Sequence, residues 1–270
     1  MIIEICTVCL FSDSIRMEEA YFSSDPEENS LMHNWNMVML AYCDGGSFSG
    51  DRQTPLITDS GEILHFRGAA ILRAAQETLL GPEYGLAEAT DVVISGCSAG
   101  GLAVFMQCDR WAERLAVAEQ QQPLGPGAAR RKVRCLPDSG MFLDFQDDLA
   151  ASDAAAFENP GFHAALVWAF DTMELEGDAS CMARYAPTNE QWRCAFAQYL
   201  FPEVATPTFI VNSKFDAWSL LASGEGSPYA VVGGVLTTLD PAALNEGWGQ
   251  SFDAAIRTGL EANPGHAAFM

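Results

Sequence analysis

The sequence has few basic residues. Only 14 lysines and arginines stand against 36 aspartates and glutamates in 270 residues, which gives a formal net charge of −22 at pH 7. A surface this negative repels nucleic-acid phosphates and anionic lipid head groups, and it also disfavours a polyanionic substrate. No apolar run approaches the ~20 residues that a membrane-spanning helix needs. We therefore expect no nucleic-acid partner and no membrane insertion.

Repetitive and low-complexity segments are also absent. Hydrophobic residues make up 49% of the chain, and its 23 glycines and 13 prolines follow no repeat. Collagen-like and wholly disordered classes are thereby excluded. A chain of this length and apolar content buries a substantial core, and we predict a single domain over residues 1–270.

Metal-binding residue types are scarce and scattered. The chain has 8 cysteines and 4 histidines. Cys6 and Cys9 form a C-x-x-C pair, but neither a second pair nor histidines at ligand spacing accompany it. The histidines lie far apart, at His33, His65, His163 and His266. We predict no metal site and no cofactor, whereas the even number of cysteines is compatible with a few disulfides.

Short apolar runs alternate with helical patterns along the chain. Strands are predicted at 37–41, 91–95, 132–136 and 208–211, and helices at 66–80, 102–116 and 249–261. Residues 145–205 are rich in alanine and aromatic residues, and we predict a helical insertion there, packed over the active-site edge of the core. The alternation predicts an α/β fold with a mostly parallel sheet flanked by helices.

The segment Gly96-Cys97-Ser98-Ala99-Gly100 lies between a predicted strand and a predicted helix. This is the G-x-S-x-G pattern of a nucleophile elbow, in which glycines leave room for a tight turn and the serine is presented at the carboxyl end of the sheet. The backbone N–H of Ala99 is placed to donate to a developing oxyanion. The alternative is a glycine-rich turn with a solvent-facing serine.

A nucleophilic serine needs a histidine to take its proton and an acid to orient that histidine. In an elbow of this kind the chain order is serine, acid, histidine. Asp216 follows a strand and suits the acid, whereas Asp138 also follows a strand but is better explained as a turn residue. His163 precedes Asp216 and breaks the order. His266 fits the order, and it is the only candidate base that does.

Several motifs resemble one family of esterases. Residues 42–51, Tyr-Cys-Asp-Gly-Gly-Ser-Phe-Ser-Gly-Asp, are very similar to the Tyr-Cys-Asp-Gly-Ser-Ser-Phe-Thr-Gly-Asp signature of plant pectin acetylesterases. Further matching segments follow in consistent order at 66–68, 96–103, 138–144, 198–202 and 212–218. The chain thus resembles the pectin acetylesterase and Notum family of serine carboxylesterases, which implies an α/β-hydrolase-like fold.

The resemblance assigns roles to individual residues. It implies Ser98 as nucleophile, Asp216 as the acid of the triad, a disulfide between Cys181 and Cys194, and a buried free thiol at Cys97. The residues expected at the pocket through their motifs are Asp44, Gly45, Gly46, Gly96 and Gly100.

Two departures from the family pattern lie at the ends of the chain. The family's Gly-Gly-Gly-Trp segment, which completes its oxyanion hole, would end just before Met1. The family's catalytic histidine would lie roughly half a dozen residues beyond Met270, which leaves His266 as a weaker candidate. We expect a piece of a secreted, cell-wall esterase that is truncated at both termini, and we expect no signal peptide in this chain.

The resemblance implies hydrolysis of carboxylic esters, first of O-acetyl groups on pectin or another cell-wall polysaccharide. A lipid ester on a protein, as in the Notum branch, is the second substrate. The alternative class is a non-catalytic relative that binds a glycan or a protein. The aromatic residues of the predicted insertion suit a packed core better than a sugar site; they are Phe157, Phe162, Trp168, Phe170 and Trp192.

Overall fold

The computed structural model describes residues 1–6, 22–41, 44–125, 130–144, 162–216, 218–219, 229–232, 235–238 and 245–270. Within these residues, six strands form one sheet, in which neighbouring strands pair in parallel and the order is β10-β7-β6-β5-β1-β2. Their bounds are β1 Ile2–Cys6, β2 Met37–Ala41, β5 Asp91–Cys97, β6 Lys132–Asp138, β7 Phe209–Val211 and β10 Ala267–Phe269. The predicted parallel sheet is thus confirmed.

Two small hairpins lie outside this sheet. They are formed by β3 Leu56–Ile57 with β4 Ile63–Leu64, and by β8 Tyr229–Val232 with β9 Val235–Thr238. Neither hairpin was predicted, and neither were β1 and β10 of the main sheet. Glu4 interrupts the apolar pattern of β1, and the alanines that begin β10 have low strand propensity.

Six α-helices lie among the described residues. They are α1 Gly68–Leu80, α2 Ala99–Gln121, α3 Phe162–Met173, α4 Ala179–Tyr185, α5 Ala197–Leu200 and α6 Gln250–Ala262. Helix α2 is the central one, since 11 of its residues are buried and it contributes to both hydrophobic clusters of the core. One of these clusters includes Phe105 and Phe201, and the other includes Trp111 and Leu115.

The regular elements that the structure describes between β6 and β7 are all helices, as the composition predicts. Residues 145–161, including Phe157, lie outside the described residues. Phe162, Phe170 and Trp192 pack against the core. Trp168 differs, because half of its surface is exposed.

Among the described residues, two disulfides fix this arrangement. Cys181–Cys194 closes the turn between α4 and α5, and this pairing was predicted from the family resemblance. Cys108–Cys135 was not predicted, and it joins α2 to β6 with 6.2 Å between the Cα atoms. Helix α2 therefore has a covalent link to the sheet on which it packs.

Candidate active site

Ser98 lies at the junction of β5 and α2 and is exposed. Its backbone is left-handed, with φ 59° and ψ −122°. A side-chain-bearing residue pays of order 1–3 kcal/mol for such a conformation, which persists only when its surroundings fix it. The Ser98 N–H donates to the Asp138 carbonyl at 2.9 Å, so the end of β6 holds the turn. This is the geometry that the G-x-S-x-G pattern predicts.

The glycines around Ser98 allow backbone segments to approach closely. Gly96 and Gly100 are both buried. At Gly101, an added Cβ would lie 2.6 Å from the Asp138 carbonyl oxygen and 2.8 Å from the Cα of Gly140. The first turn of α2 therefore passes the loop after β6 with no room for a side chain.

The first turn of α2 supplies the candidate oxyanion donor. The first N–H groups of a helix have no partner within the helix, and the helix dipole favours negative charge at that end. Ala99 is the first residue of α2 and directly follows Ser98. Its role as oxyanion donor stays a prediction.

The register of the sheet locates the other candidates relative to Ser98. Cys97, Asp138, Val211 and Phe269 are successive partners across β5, β6, β7 and β10. They form one row at the carboxyl ends of the strands, which we call the carboxyl edge. The opposite side, where these strands begin, we call the amino edge.

Asp216 follows β7 and lies just beyond the carboxyl edge. Its Oδ1 accepts hydrogen bonds from the N–H groups of Trp218 at 2.8 Å and Ser219 at 3.1 Å. These bonds fix the orientation of a half-buried carboxylate, two strands along the sheet from Ser98. Asp138 makes a local turn contact instead, with its Oδ1 accepting from the Ser139 hydroxyl at 2.8 Å.

His266 lies at the amino edge, away from Ser98. It precedes the row residue Phe269 by three positions, or ~10 Å along a strand. Its Nδ1 accepts from the Thr208 N–H at 3.1 Å, and its Nε2 donates to the Val204 carbonyl at 3.0 Å. The ring is buried, and desolvation lowers its pKa from the ordinary 6.5. The structure therefore does not bring His266 to the nucleophile, and both of its ring nitrogens already have backbone partners.

His163, which breaks the chain order, forms a side-chain pair with Asp144. Its Nδ1 lies 2.5 Å from Asp144 Oδ1, and the Tyr199 hydroxyl donates to Asp144 Oδ2 at 3.0 Å. Burial and the neighbouring Asp144 raise the pKa of Tyr199 to about 12. The imidazole also stacks on Phe196, with 5.8 Å between ring centroids. Sequence reasoning missed this pair, although Asp144 belongs to one of the matched motifs.

Helix α3 extends along the carboxyl edge. Near its start, the Phe162 ring contacts Trp218, with 5.5 Å between centroids. At its end, the Met173 sulfur would lie 3.2 Å from a Cβ added at Gly46. The helix thus connects the neighbourhood of Asp216 with the loop at 44–50.

Residues 44–50, which we call the 44–50 loop, are buried apart from Gly45. The φ angles of Gly45, Ser47 and Phe48 are 71°, 54° and 54°. The Ser47 hydroxyl donates to the Ala99 carbonyl at 3.4 Å, next to the nucleophile. The motif residues Asp44, Gly45 and Gly46 therefore belong to a loop that contacts the elbow. Ser47 makes this contact, and sequence reasoning did not single it out.

One expectation about the elbow is corrected. Cys97 is exposed rather than buried, because it lies at the last position of β5, where the strand leaves the sheet. On the other side of β5, β1 pairs with both β2 and β5, and Ile5 is level with Gly96. The carboxyl end of β1 therefore lies beside the elbow, and residues 7–21 are outside the described residues.

In the part of the chain that the structure describes, no group of three or more His, Cys, Asp and Glu side chains is arranged to hold a metal ion. No helix there is long and apolar enough to cross a membrane. A strained serine between a parallel strand and a helix, with an acidic residue past a nearby strand end, is the arrangement of the α/β-hydrolase-like class.

Comparisons with known proteins agree with this class. The family described as Pectinacetylesterase matches residues 12–229. Pectin acetylesterase 5 of Arabidopsis thaliana is 33% identical over 75% of this chain and 41% of its own length. Palmitoleoyl-protein carboxylesterase NOTUM is 31% identical in Drosophila melanogaster, over 76% of this chain and 28% of that protein. The human NOTUM is 32% identical over 72% of this chain and 36% of that protein.

The chain therefore belongs to the pectinacetylesterase family, and it spans less than half the length of these relatives. A crystal structure of the Wnt deacylase Notum from Drosophila shares the fold, with a TM-score of 0.73. That match is 24% identical and covers 99% of this chain and 74% of the other.

Proposed function

We propose that the chain is the nucleophile-bearing part of a serine carboxylesterase that works through an acyl-enzyme on Ser98. The observation that carries the proposal is the exposed Ser98, held with a left-handed backbone at the start of α2. The named activities of its relatives, pectin acetylesterase and palmitoleoyl-protein carboxylesterase, are both ester hydrolyses.

The proposed reaction uses Ser98, Ala99 and Asp216 together with a histidine. The Ser98 Oγ attacks the ester carbonyl while a histidine takes its proton, and the Ala99 N–H donates to the resulting oxyanion. Collapse of the tetrahedral intermediate breaks the bond to the alcohol, which leaves with that proton. Water then attacks the acyl-enzyme and releases the carboxylic acid and free Ser98. Asp216 orients the histidine through its carboxylate.

We infer that the base is a residue other than His266, because both nitrogens of that ring are bonded at the amino edge. Strand β10 runs towards the carboxyl edge, and Phe269 is level with Val211. In a longer chain, residues following Met270 would emerge beside Asp216. A histidine there, as the family resemblance implies, would complete the triad.

For the substrate, we propose O-acetyl groups on pectin or another cell-wall polysaccharide. The acidic loop signature at 42–51 favours the acetylesterase branch over the Notum branch. Secretion is part of the same proposal, and the two disulfides support it, because disulfides persist in oxidising compartments.

The second candidate function is binding of a glycan or protein without catalysis. One observation favours it: in the described part of the chain, no histidine forms a hydrogen bond with Ser98. A fold alone does not decide between these functions.

The experiment is labelling by a fluorophosphonate probe, which reacts with an activated serine, on a chain that continues past Met270 to the proposed histidine. This longer chain is the wild type in every labelling experiment below. We expect the probe on Ser98, located by peptide mass spectrometry, and loss of labelling in Ser98→Ala. Ser139→Ala is the matched control, since Ser139 is a second serine with positive φ at the carboxyl edge. It should leave labelling intact.

The outcomes separate the candidates. Labelling of Ser98 together with acetate release from acetylated pectin supports the proposal. Release of fatty acid from a palmitoleoylated peptide would move it to the Notum branch. A folded chain that the probe does not label would favour the binding function.

A further inference from the structure

The 44–50 loop is held in its strained conformation by side chains of α2. The Gln107 Nε2 donates to the Phe48 carbonyl at 3.2 Å and to the Ser49 hydroxyl at 2.7 Å. Gln107 is fully buried, and its Oε1 accepts from Arg110 at 3.0 Å. These contacts place the far half of the loop against the same helix that begins at Ser98.

Asp44 organises the near half of the loop. Its Oδ1 accepts from the Phe48 N–H at 3.2 Å, across the residues with positive φ. Only 7% of Asp44 is exposed, and among the described residues its Oδ2 has no hydrogen-bond partner. Burial raises the pKa of this carboxyl group above its usual range, although several backbone N–H groups oppose the shift. A carboxyl group is costly at such a site, so its presence calls for a reason.

The space around Asp44 is closed on the side of α1. A Cβ added at Gly68 would lie 1.8 Å from Asp44 Oδ2 and 2.7 Å from the Cα of Phe48. The carboxyl group therefore lies directly against Gly68, between the start of α1 and the loop. From that position it fixes where the loop can lie.

The loop reaches the catalytic machinery through Ser47. The Ser47 hydroxyl donates to the carbonyl of Ala99, the residue whose N–H is the candidate oxyanion donor. Ser47 lies between Asp44 and Phe48, so the Asp44–Phe48 hydrogen bond closes a turn around it. A shift of this turn would move the contact on Ala99.

We propose that Asp44 is a positioning residue for the nucleophile elbow, which it holds through Ser47 and the Ala99 peptide. The inference rests on the proposed function of Ser98. It assigns to Asp44, the first of the two acidic residues in the 42–51 signature, a part in the acylation rate, although Asp44 does not touch the substrate.

The test combines three variants with two readouts. Asp44→Ala removes the acceptor, Asp44→Asn keeps an oxygen acceptor with the same shape, and Ser47→Ala removes the contact on Ala99. Asp59→Ala, at the exposed turn between β3 and β4, is the matched control. The readouts are the rate constant of fluorophosphonate labelling and amide hydrogen exchange of residues 44–50 and 98–103.

We expect Asp44→Ala to slow labelling by ~10- to 100-fold, because small misplacements of catalytic groups have effects of that size. Asp44→Asn should label at close to the wild-type rate, and Asp59→Ala at the wild-type rate. Since Asp44 acts through Ser47, the double variant Asp44→Ala/Ser47→Ala should be no slower than the slower single variant. Exchange should accelerate in both peptides in Asp44→Ala and in neither peptide in Asp44→Asn.

Two results would overturn the inference. One is wild-type labelling by a folded Asp44→Ala variant. The other is multiplication of the two single effects in the double variant, which would mean that Asp44 and Ser47 act independently. If the wild-type chain is not labelled at all, the proposed function fails by itself. Hydrogen exchange at 98–103 then decides whether Asp44 holds the elbow: faster exchange in Asp44→Ala supports it, and unchanged exchange refutes it.

Discussion

The two edges of the main sheet treat their polar groups in opposite ways. At the amino edge, the buried Arg131 guanidinium donates to three backbone carbonyls, among them Leu115 at 2.7 Å and Ala89 at 2.8 Å. The Asp109 carboxylate likewise accepts from two backbone N–H groups. At the carboxyl edge, Ser98 is exposed, and no donor in the described part of the chain reaches Asp44 Oδ2.

Backbone strain follows the same division. Six non-glycine residues among those described have positive φ, and four of them lie in the 44–50 loop or directly after β5 and β6. These are Ser47, Phe48, Ser98 and Ser139. Strain of this kind is retained where the surroundings enforce it, commonly at functional sites. We infer that polar contacts at the amino edge stabilise the fold. At the carboxyl edge, where the candidate active site lies, strained conformations are retained at the expense of stability.

The largest effect that tests this difference between the two edges is expected from the substitution of Asp216. Asp216→Ala should slow labelling of Ser98 by ~10³- to 10⁴-fold, because the histidine of a triad loses its orienting acid. Stability should fall by only about 1 kcal/mol, through loss of the two backbone contacts at Trp218 and Ser219. Urea unfolding and the labelling rate, measured on the same samples, check both parts.

Asp138→Ala is the matched control for that experiment, because Asp138 is the other acidic residue that follows a strand at this edge. Its carboxylate contacts the neighbouring Ser139, so labelling should change little. The reverse pattern, with Asp138→Ala inert and Asp216→Ala reactive, would transfer the acid role to Asp138.

At the amino edge we expect a smaller effect, which changes the unfolding free energy and not the labelling rate. His266→Phe keeps an aromatic ring beside Phe201 but leaves the Thr208 N–H unpaired and removes one of the two donors to the Val204 carbonyl, which keeps the Asn263 Nδ2 contact at 3.5 Å. Unfolding free energy should fall by about 1–3 kcal/mol. Labelling of Ser98 by the folded variant should not change. Loss of labelling without loss of stability would return His266 to the catalytic machinery and break the comparison.

The smallest expected effect is the pH dependence of the stability that His266 contributes. Burial lowers the pKa of folded His266 below its ordinary 6.5, so the unfolded chain binds more protons as the pH falls past that value. The stability from the neutral buried ring is therefore present above pH 6.5 and is lost as the pH falls through the folded pKa. The advantage of wild type over His266→Phe should shrink by about 1.4 kcal/mol for each pH unit inside that window. Unfolding curves at pH 8, 6 and 5 would measure it, and a constant difference would contradict it.

The sequence predicts the parallel sheet and the elbow because both depend on local signals. The apolar Val-Val-Ile run of β5 and the glycines around Ser98 suffice to place the nucleophile. The role of His266 could not be found in this way. Chain order places it after Asp216, but its position depends on the register of β10 against β7.

The Cys108–Cys135 disulfide and the 44–50 loop contacts were also beyond sequence reasoning, for the same reason. Cys108 meets Cys135 only because α2 packs on β6. Ser47 meets Ala99 only because the loop after β2 reaches over β1 to the start of α2. Contacts between residues distant in sequence arise from packing, and no local sequence pattern predicts them.

The Cys108–Cys135 disulfide has a practical consequence for producing this protein. The helix that begins at Ser98 is joined covalently to the strand that ends at Asp138, the residue whose carbonyl holds the Ser98 N–H. A host that synthesises the chain in a reducing compartment would have to fold it without a crosslink that typically contributes 2–5 kcal/mol. Such material would be a mixture of oxidised and reduced molecules with differently held elbows. Expression into an oxidising compartment should give molecules that all carry the disulfide, and a count of free thiols would verify this. A labelling rate measured at Ser98 would then describe a single molecular species.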